Sequence, residues 1–286
     1  MAVCGVCFRH CDLEDGQTGF CGARQGRAGE AVPLYYGRLS SLALDPIEKK
    51  PLHRFCPGSL ILSAGSLGCN LKCPFCQNHE IAQAGPSGAF KAGTEEVSPE
   101  ELVSLAERLI PRGNIGIAFT YNEPLVNFEY VRDTSKLAHE KGLKCVLVTN
   151  GTAGIGILDA LIPTIDAMNI DLKGFTERYY REVLGGDLQM TKAFIREAAG
   201  HCHVELTTLI VPGENDSDGE MAEISAWIAG LEDVYGGREG RDIPLHISRF
   251  FPRHRMTDRG PTDVKRIHDL VGIAKRNLRY VYPGNC

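Results

Sequence analysis

Three cysteines, Cys69, Cys73 and Cys76, stand in the run Gly68-Cys69-Asn70-Leu71-Lys72-Cys73-Pro74-Phe75-Cys76-Gln77-Asn78. This C-x3-C-x2-C loop offers three thiolates, an odd number for a structural metal, because a closed tetrahedral zinc site takes four protein ligands. A cubane iron–sulfur cluster held by three cysteines leaves one iron open to another ligand, and an open iron is a place for chemistry. The alternative is a zinc knuckle completed by His79. A second group, Cys4, Cys7, Cys11 and Cys21, has the spacing C-x2-C-x3-C-x9-C. Four thiolates can close a zinc site or hold a second iron–sulfur cluster, and His10 could replace one of them. Either metal would staple an extension too small to fold on a core of its own.

The elements that must position these residues follow from the rest of the 286-residue chain. From about Ser59 onward, apolar runs of strand length alternate with amphipathic segments. The runs are Leu60 to Ser63, Ile115 to Tyr121, Cys145 to Thr149, Ala167 to Asp171, Val204 to Val211, Leu245 to Phe251 and Arg279 to Tyr282. Short runs without clean polar alternation suit strands buried on both faces of a parallel sheet. Between them, Ser98-Pro99-Glu100-Glu101 has the form of a capping box with proline at the first helical position. Leu102, Leu105, Ala106, Leu109 and Ile110 then repeat at helical spacing. Similar stripes run through Ile155–Ile162, Met221–Leu231 and Val264–Ala274. Repeated strand–helix units predict a parallel sheet with right-handed crossovers, closed as a barrel or doubly wound. The expected division is a cysteine-rich extension and linker over residues 1–58 and a catalytic core over 59–286.

In a β/α barrel the functional groups lie at the C-terminal ends of the strands, and polar motifs fall there. Thr120-Tyr121-Asn122-Glu123-Pro124 follows the second predicted strand. The Glu123 carboxylate, with Thr120 and Asn122 beside it, is suited to gripping an ammonium group; the alternative is a plain Asn-Glu-Pro turn. Val148-Thr149-Asn150-Gly151 ends the third strand. Asp171 and Lys173 end the fourth and, two residues apart, point the same way; the alternative is a surface ion pair of little energetic value. His246 lies in the sixth strand, where a lone histidine is commonly a satisfied core residue. Arg253, His254, Arg255 and Arg259 form a basic turn that suits either solvent or an anionic substrate. The glycine-rich stretch from Gly85 to Thr94 reads as a mobile loop.

The cysteine spacing, with an aromatic residue before the last cysteine, resembles the cluster loop of the radical S-adenosylmethionine (SAM) superfamily. Asn122-Glu123-Pro124, Asp171-Leu172-Lys173 and Val211-Pro212-Gly213 extend the likeness to the pyruvate formate-lyase activating enzymes. With the N-terminal cysteines and the final Tyr280-Val281-Tyr282-Pro283-Gly284-Asn285, the chain resembles the AmmeMemoRadiSam-system radical SAM enzymes over nearly its whole length. The resemblance implies a partial (β/α)6 barrel behind the cysteine-rich extension. It implies a [4Fe–4S] cluster on Cys69, Cys73 and Cys76, and SAM as cofactor. Glu123 would hold the SAM amino group, with Thr120 and Asn122 as further candidates, and Lys173 the SAM carboxylate. Asp171 would serve a monovalent cation, although the acidic residue such a site also uses is Val148 here. His246 would stand near the sulfonium. The resemblance further implies a one-electron donor such as flavodoxin or ferredoxin, and either a glycyl radical protein or another molecule as substrate. Cys56 departs from the family pattern, which favours an aromatic or aliphatic residue there.

Composition narrows the remaining classes. A net charge of −5 gives no electrostatic reason to expect nucleic acid or an anionic membrane as partner. The apolar runs fall short of the ~20 residues a membrane-spanning helix needs, and no signal-peptide pattern opens the chain. A cytoplasmic protein is the expectation. In a reducing compartment, eleven cysteines, most of them clustered, read as metal ligands rather than disulfides.

Overall fold

The computed structural model describes residues 1–83, 90 and 93–286; the predicted loop from Gly85 to Thr94 falls largely outside them. Its centre is an eight-stranded sheet. The strands are β1 (Ser41–Pro46), β2 (Leu60–Gly65), β3 (Asn114–Phe119), β4 (Lys144–Thr149), β5 (Ala167–Asp171), β6 (His203–Ile210), β7 (Leu245–Arg249) and β8 (Val281–Gly284). They lie in the sheet in their order along the chain. β2 to β8 are parallel throughout; β1 is an antiparallel edge strand on β2.

This order decides between the two closures left open by pattern. A doubly wound sheet reverses its strand order at a switch point, whereas here each crossover advances by one strand, which is how a barrel winds. β1 and β8 remain as separate edges, so the architecture is α/β with an open, partial barrel.

The predicted runs lie in β2 to β7 because these strands are largely buried on both faces, as their lack of alternation required; β8, at the sheet edge, is mostly half-buried or exposed. The helix-facing side feeds one large core that includes Leu62, Phe119, Leu147, Met168, Leu206 and Ile247. On the inner side, Ile61, Ala118, Val146 and Ala167 pack on Ile47 and Leu52, which plug the barrel. Residues 41–46, expected as linker, instead form β1.

The capping box is present on α1 (Pro99–Arg108): the Glu101 amide donates to Ser98 Oγ at 3.2 Å and the Ser98 amide to Glu101 Oε2 at 2.7 Å. α2 (Phe128–Glu140), α3 (Ile155–Asp159), α4 (Leu188–His201), α5 (Asp218–Ala229) and α6 (Val264–Ala274) follow. Of these, α2 and α4 were not anticipated from apolar spacing. The extension is built of short antiparallel pairs, Ala2–Val3 on Asp12–Leu13 and Arg24–Arg27 on Glu30–Pro33. Among the described residues no helix is long and apolar enough to cross a membrane.

Candidate functional site

The C-x3-C-x2-C loop leaves the end of β2, where the chain turns out of the sheet. Asn122 fixes that turn: its Oδ1 accepts from the Ser66 amide at 2.9 Å and its Nδ2 donates to the Gly68 carbonyl at 3.1 Å. Gly68 has φ +95°, and a Cβ there would lie 2.6 Å from Ala23 Cβ and 2.9 Å from the Cys21 carbonyl. Only glycine allows the loop to press this closely on the extension. Further along, the Lys72 amide donates to the Leu184 carbonyl at 2.8 Å, and the Arg255 amide to the Pro74 carbonyl at 2.8 Å. Leu184 ends a π-helical turn, Tyr179–Leu184, a local irregularity frequent at functional sites. Gln83 Nε2 donates to the Cys73 carbonyl at 3.0 Å. The loop is therefore held by its backbone, leaving its sulfurs for another use.

Cys73 is buried, with Cys69 and Cys76 half-buried beside it. Burial pushes the Cys73 thiol up to about 11, against the pull of the nearby Lys173 ammonium. Burial likewise raises Cys69 and Cys76. Such thiols lose their protons to a metal rather than to water, since binding supplies the positive charge that the buried site lacks. Donors already face the sulfurs: the Leu71 amide lies 3.4 Å and Asn150 Nδ2 3.6 Å from Cys69 Sγ.

The strand-end motifs surround this loop. Lys173 Nζ donates to Asp171 Oδ2 at 2.8 Å. Burial alone would lower the Lys173 pKa, but Asp171 and Cys73 outweigh it and hold the ammonium well above its ordinary range. The pair thus acts electrostatically on the cysteine loop and is not an isolated surface bridge. Glu123, 2% exposed, is placed differently from a free ammonium grip. Its Oε1 accepts from Thr149 Oγ1 at 2.7 Å and the Leu125 amide at 3.0 Å, and its Oε2 from the Asn150 amide at 2.7 Å. Burial pushes its carboxyl up to about 7 in spite of these donors. Three of roughly four acceptor positions are taken, so much of what Glu123 does is join the ends of β3 and β4. Thr120 is buried, with its amide on the Ala64 carbonyl at 3.0 Å.

His246 belongs elsewhere. It is the second residue of β7, and its Nε2 donates to Glu205 Oε2 at 2.7 Å. Glu205 also accepts from His203 Nε2 at 2.9 Å and from the His53 and Arg54 amides at 3.0 and 2.6 Å. Burial would raise Glu205, but these donors together hold it down to about 2. His246 is a satisfied core histidine near the strand starts; its ring nitrogen is committed to Glu205, which leaves the expectation of a group beside a sulfonium without support.

His79 faces groups other than the three sulfurs. Its ring stacks on His254 at 4.1 Å between centroids, and its Nδ1 faces the Cys76 carbonyl at 3.2 Å. Among the described residues, no three or more His, Cys, Asp or Glu side chains are arranged to hold a single metal ion. The basic turn packs on the cysteine loop through Arg255, while Arg259 is paired with Asp258 and Glu214.

Two residues missed as site members emerge, Asn150 and Asn70. Asn150 Nδ2 touches Cys69 Sγ and donates to Asn70 Oδ1 at 2.9 Å. Both lay inside quoted motifs, but an uncharged amide gives no signal of its own. The N-terminal cysteines also come together, with Cys4, Cys7, Cys11 and Cys21 all lining one void. His10 is exposed and is not part of that lining.

Against this geometry stand the comparisons with known proteins. The Radical SAM superfamily model matches residues 65–224, from the end of β2 into α5. An uncharacterized protein of Methanocaldococcus jannaschii is 38% identical over 285 residues, covering 99% of this chain and 80% of its own length. The pyruvate formate-lyase-activating enzyme of Clostridium pasteurianum is 26% identical over 171 residues, 58% of this chain and 68% of that one. Among solved structures, SuiB of Streptococcus suis bound to S-adenosylmethionine aligns with a TM-score of 0.57 at 14% identity. That alignment covers 77% of this chain and 49% of SuiB, and it bears on the fold alone.

Proposed function

The chain belongs to the radical SAM superfamily, and we propose that Cys69, Cys73 and Cys76 hold the [4Fe–4S] cluster that this family implies. The observation that carries the reading is the meeting of one buried and two half-buried thiols at one strand end with the Asp171–Lys173 pair and the Glu123–Asn150 link. The fit is favourable: thiols short of positive charge face amide donors, on a loop whose backbone is independently fixed. When bound, the cluster and SAM supply reductive cleavage of the sulfonium and hydrogen-atom abstraction from a substrate.

The chain's own groups have separable tasks. Lys173 offers an ammonium for the SAM carboxylate, with Asp171 keeping it charged and oriented. Glu123 holds Thr149 and Asn150 in place and has acceptor capacity left for the SAM amino group. Asn122 fixes the loop through its backbone. A one-electron donor protein is required by the family's chemistry, and flavodoxin or ferredoxin is our proposal for it.

The finer reading is an enzyme of the AmmeMemoRadiSam system that abstracts hydrogen from a glycine of a partner protein. Similarity to the pyruvate formate-lyase-activating enzyme and to the 4-hydroxyphenylacetate decarboxylase activating enzyme of Clostridioides difficile supports a glycyl partner. Incubating the anaerobic protein with SAM and a strong reductant tests the core proposal. We expect 5′-deoxyadenosine by mass spectrometry from the native chain and none from the Cys69→Ala/Cys73→Ala/Cys76→Ala variant. Equal yields from both would overturn it. A stable glycyl radical on a co-expressed partner would establish the finer reading, and its absence alongside turnover of another substrate would exclude it.

A further inference from the structure

The four cysteines of the extension have no part in the site above, yet they are arranged as a site. Cys4, Cys7 and Cys21 are buried, Cys11 is half-buried, and all four border one void. The turn that carries them is closed by the Cys4 amide on the Cys11 carbonyl at 2.9 Å. Amide donors face the sulfurs. The Ala23 amide lies 3.4 Å from Cys21 Sγ, and Cys7 receives the Arg9 backbone amide and the Asn70 side chain.

A second observation points to an occupant. Arg24 also borders the void and is only 4% exposed. Its terminal nitrogens are committed to Glu129, at 2.7 Å, and to the Ala31 carbonyl. Its Nε has no partner among the described residues. A buried, unpartnered N–H on a cation costs free energy on the order of 1–3 kcal/mol unless an acceptor faces it, and thiolate sulfur bound to a metal is such an acceptor.

We propose that Cys4, Cys7, Cys11 and Cys21 hold a second iron–sulfur cluster, next to the one on the Cys69 loop. The choice of cluster over zinc rests on shape. A single tetrahedral ion draws its four sulfurs to a common point, and no such convergence exists among the described residues. The cysteines instead rim a void, as ligands on the corners of a multi-atom cluster do. Four ligands leave no open iron, so this centre binds no SAM.

Its neighbourhood is specific. Asn70 touches Cys7, and Asn150 bonds Asn70 on one side and Cys69 on the other. The Cys69 amide donates to the Cys21 carbonyl at 3.3 Å. Two side-chain amides therefore span the space between one cysteine group and the other. The assignment of the neighbouring cluster rests on the reading under Proposed function; that of the N-terminal cluster does not.

The test counts metals in the full chain, isolated anaerobically from cells supplied with both iron and zinc. In the Cys69→Ala/Cys73→Ala/Cys76→Ala variant we expect about four irons and about four acid-labile sulfides per chain to remain, about half the native content. Loss of all iron from that variant, or one zinc per chain in its place, overturns the proposal. This variant leaves the N-terminal cysteines intact, so the result is independent of whether the chain cleaves SAM. In the converse variant, Cys7→Ser/Cys21→Ser, we expect half the iron and a remaining EPR signal that still shifts on adding SAM. Full iron retention there also overturns the proposal, and if that variant fails to fold the first count decides alone. Reduced native protein should show EPR broadening that the sum of the two variants lacks; a simple sum refutes the adjacency.

Discussion

The two cysteine groups of this chain lie back to back and are built on opposite principles. The Cys69 loop hangs from the end of a buried parallel strand, and its three sulfurs face charged groups from other strand ends, chiefly Lys173 and Asp171. The N-terminal group has four sulfurs in a segment of short antiparallel pairs, around a void that Arg9 and Arg24 also border. Three ligands beside a charged pair make a place where something binds and reacts. Four ligands make a closed centre. Ligand count distinguishes the two better than spacing alone.

The strongest way to break this contrast is Cys73→Ala. We expect 5′-deoxyadenosine formation to fall to the level without enzyme, while the iron held by the extension persists. Equal loss at both centres would mean that they assemble as one.

Glu205→Gln tests whether the scaffold can be weakened without touching either centre. Glu205 titrates at about 2 against an ordinary 4.5, so its ionised form stabilises the fold. That contribution is fully present above pH 4.5 and is lost as the pH falls through 2. The difference corresponds to about 3 kcal/mol at neutral pH. Denaturant melts should show the variant less stable by that order at pH 7 and the gap shrinking toward pH 2, with iron content unchanged.

Lys173→Met sharpens the comparison from the reactive side. Removing one charged contact of roughly 1.5–3 kcal/mol should weaken SAM binding about 10- to 100-fold by equilibrium dialysis, and leave the metal content intact. Gly68→Ala acts at the seam: its Cβ would meet Ala23 and the Cys21 carbonyl. A loss of about 2 kcal/mol should accompany faster alkylation of the N-terminal cysteines in metal-free protein. Ser98→Ala, far from both centres in role, removes a helix cap and should cost only about 1 kcal/mol in the same melts.

Much of this contrast was legible in the sequence. Strands β2 to β7 announced themselves because burial on both faces demands unbroken apolar runs, and the Cys69 loop because three clustered thiolates are a ligand set. The edge strand β1 was not legible. Ser41 to Pro46 is half-buried, and its partner is fixed by a neighbour rather than by its own pattern. Helix α2 hid for a related reason: its buried positions include Thr134 and Ser135, which do not mark an apolar stripe. At the site, charged residues at strand ends could be named in advance, whereas His246 stayed open between a core residue and a site group because strand membership does not say which partner a side chain meets. Asn70 and Asn150 carry no charge and no metal affinity, and only the folded geometry gives them a role.

Val126 lies at the border of the N-terminal void, and this has a consequence for how the protein is made. The ribosome delivers all four N-terminal cysteines within the first 21 residues, yet the wall against which they close arrives more than a hundred residues later. Until then the void around its thiols lacks that wall. The cysteine segment is therefore made well before it can be finished, and whatever loads it has to wait for, or guard it until, the chain beyond β3 has been made.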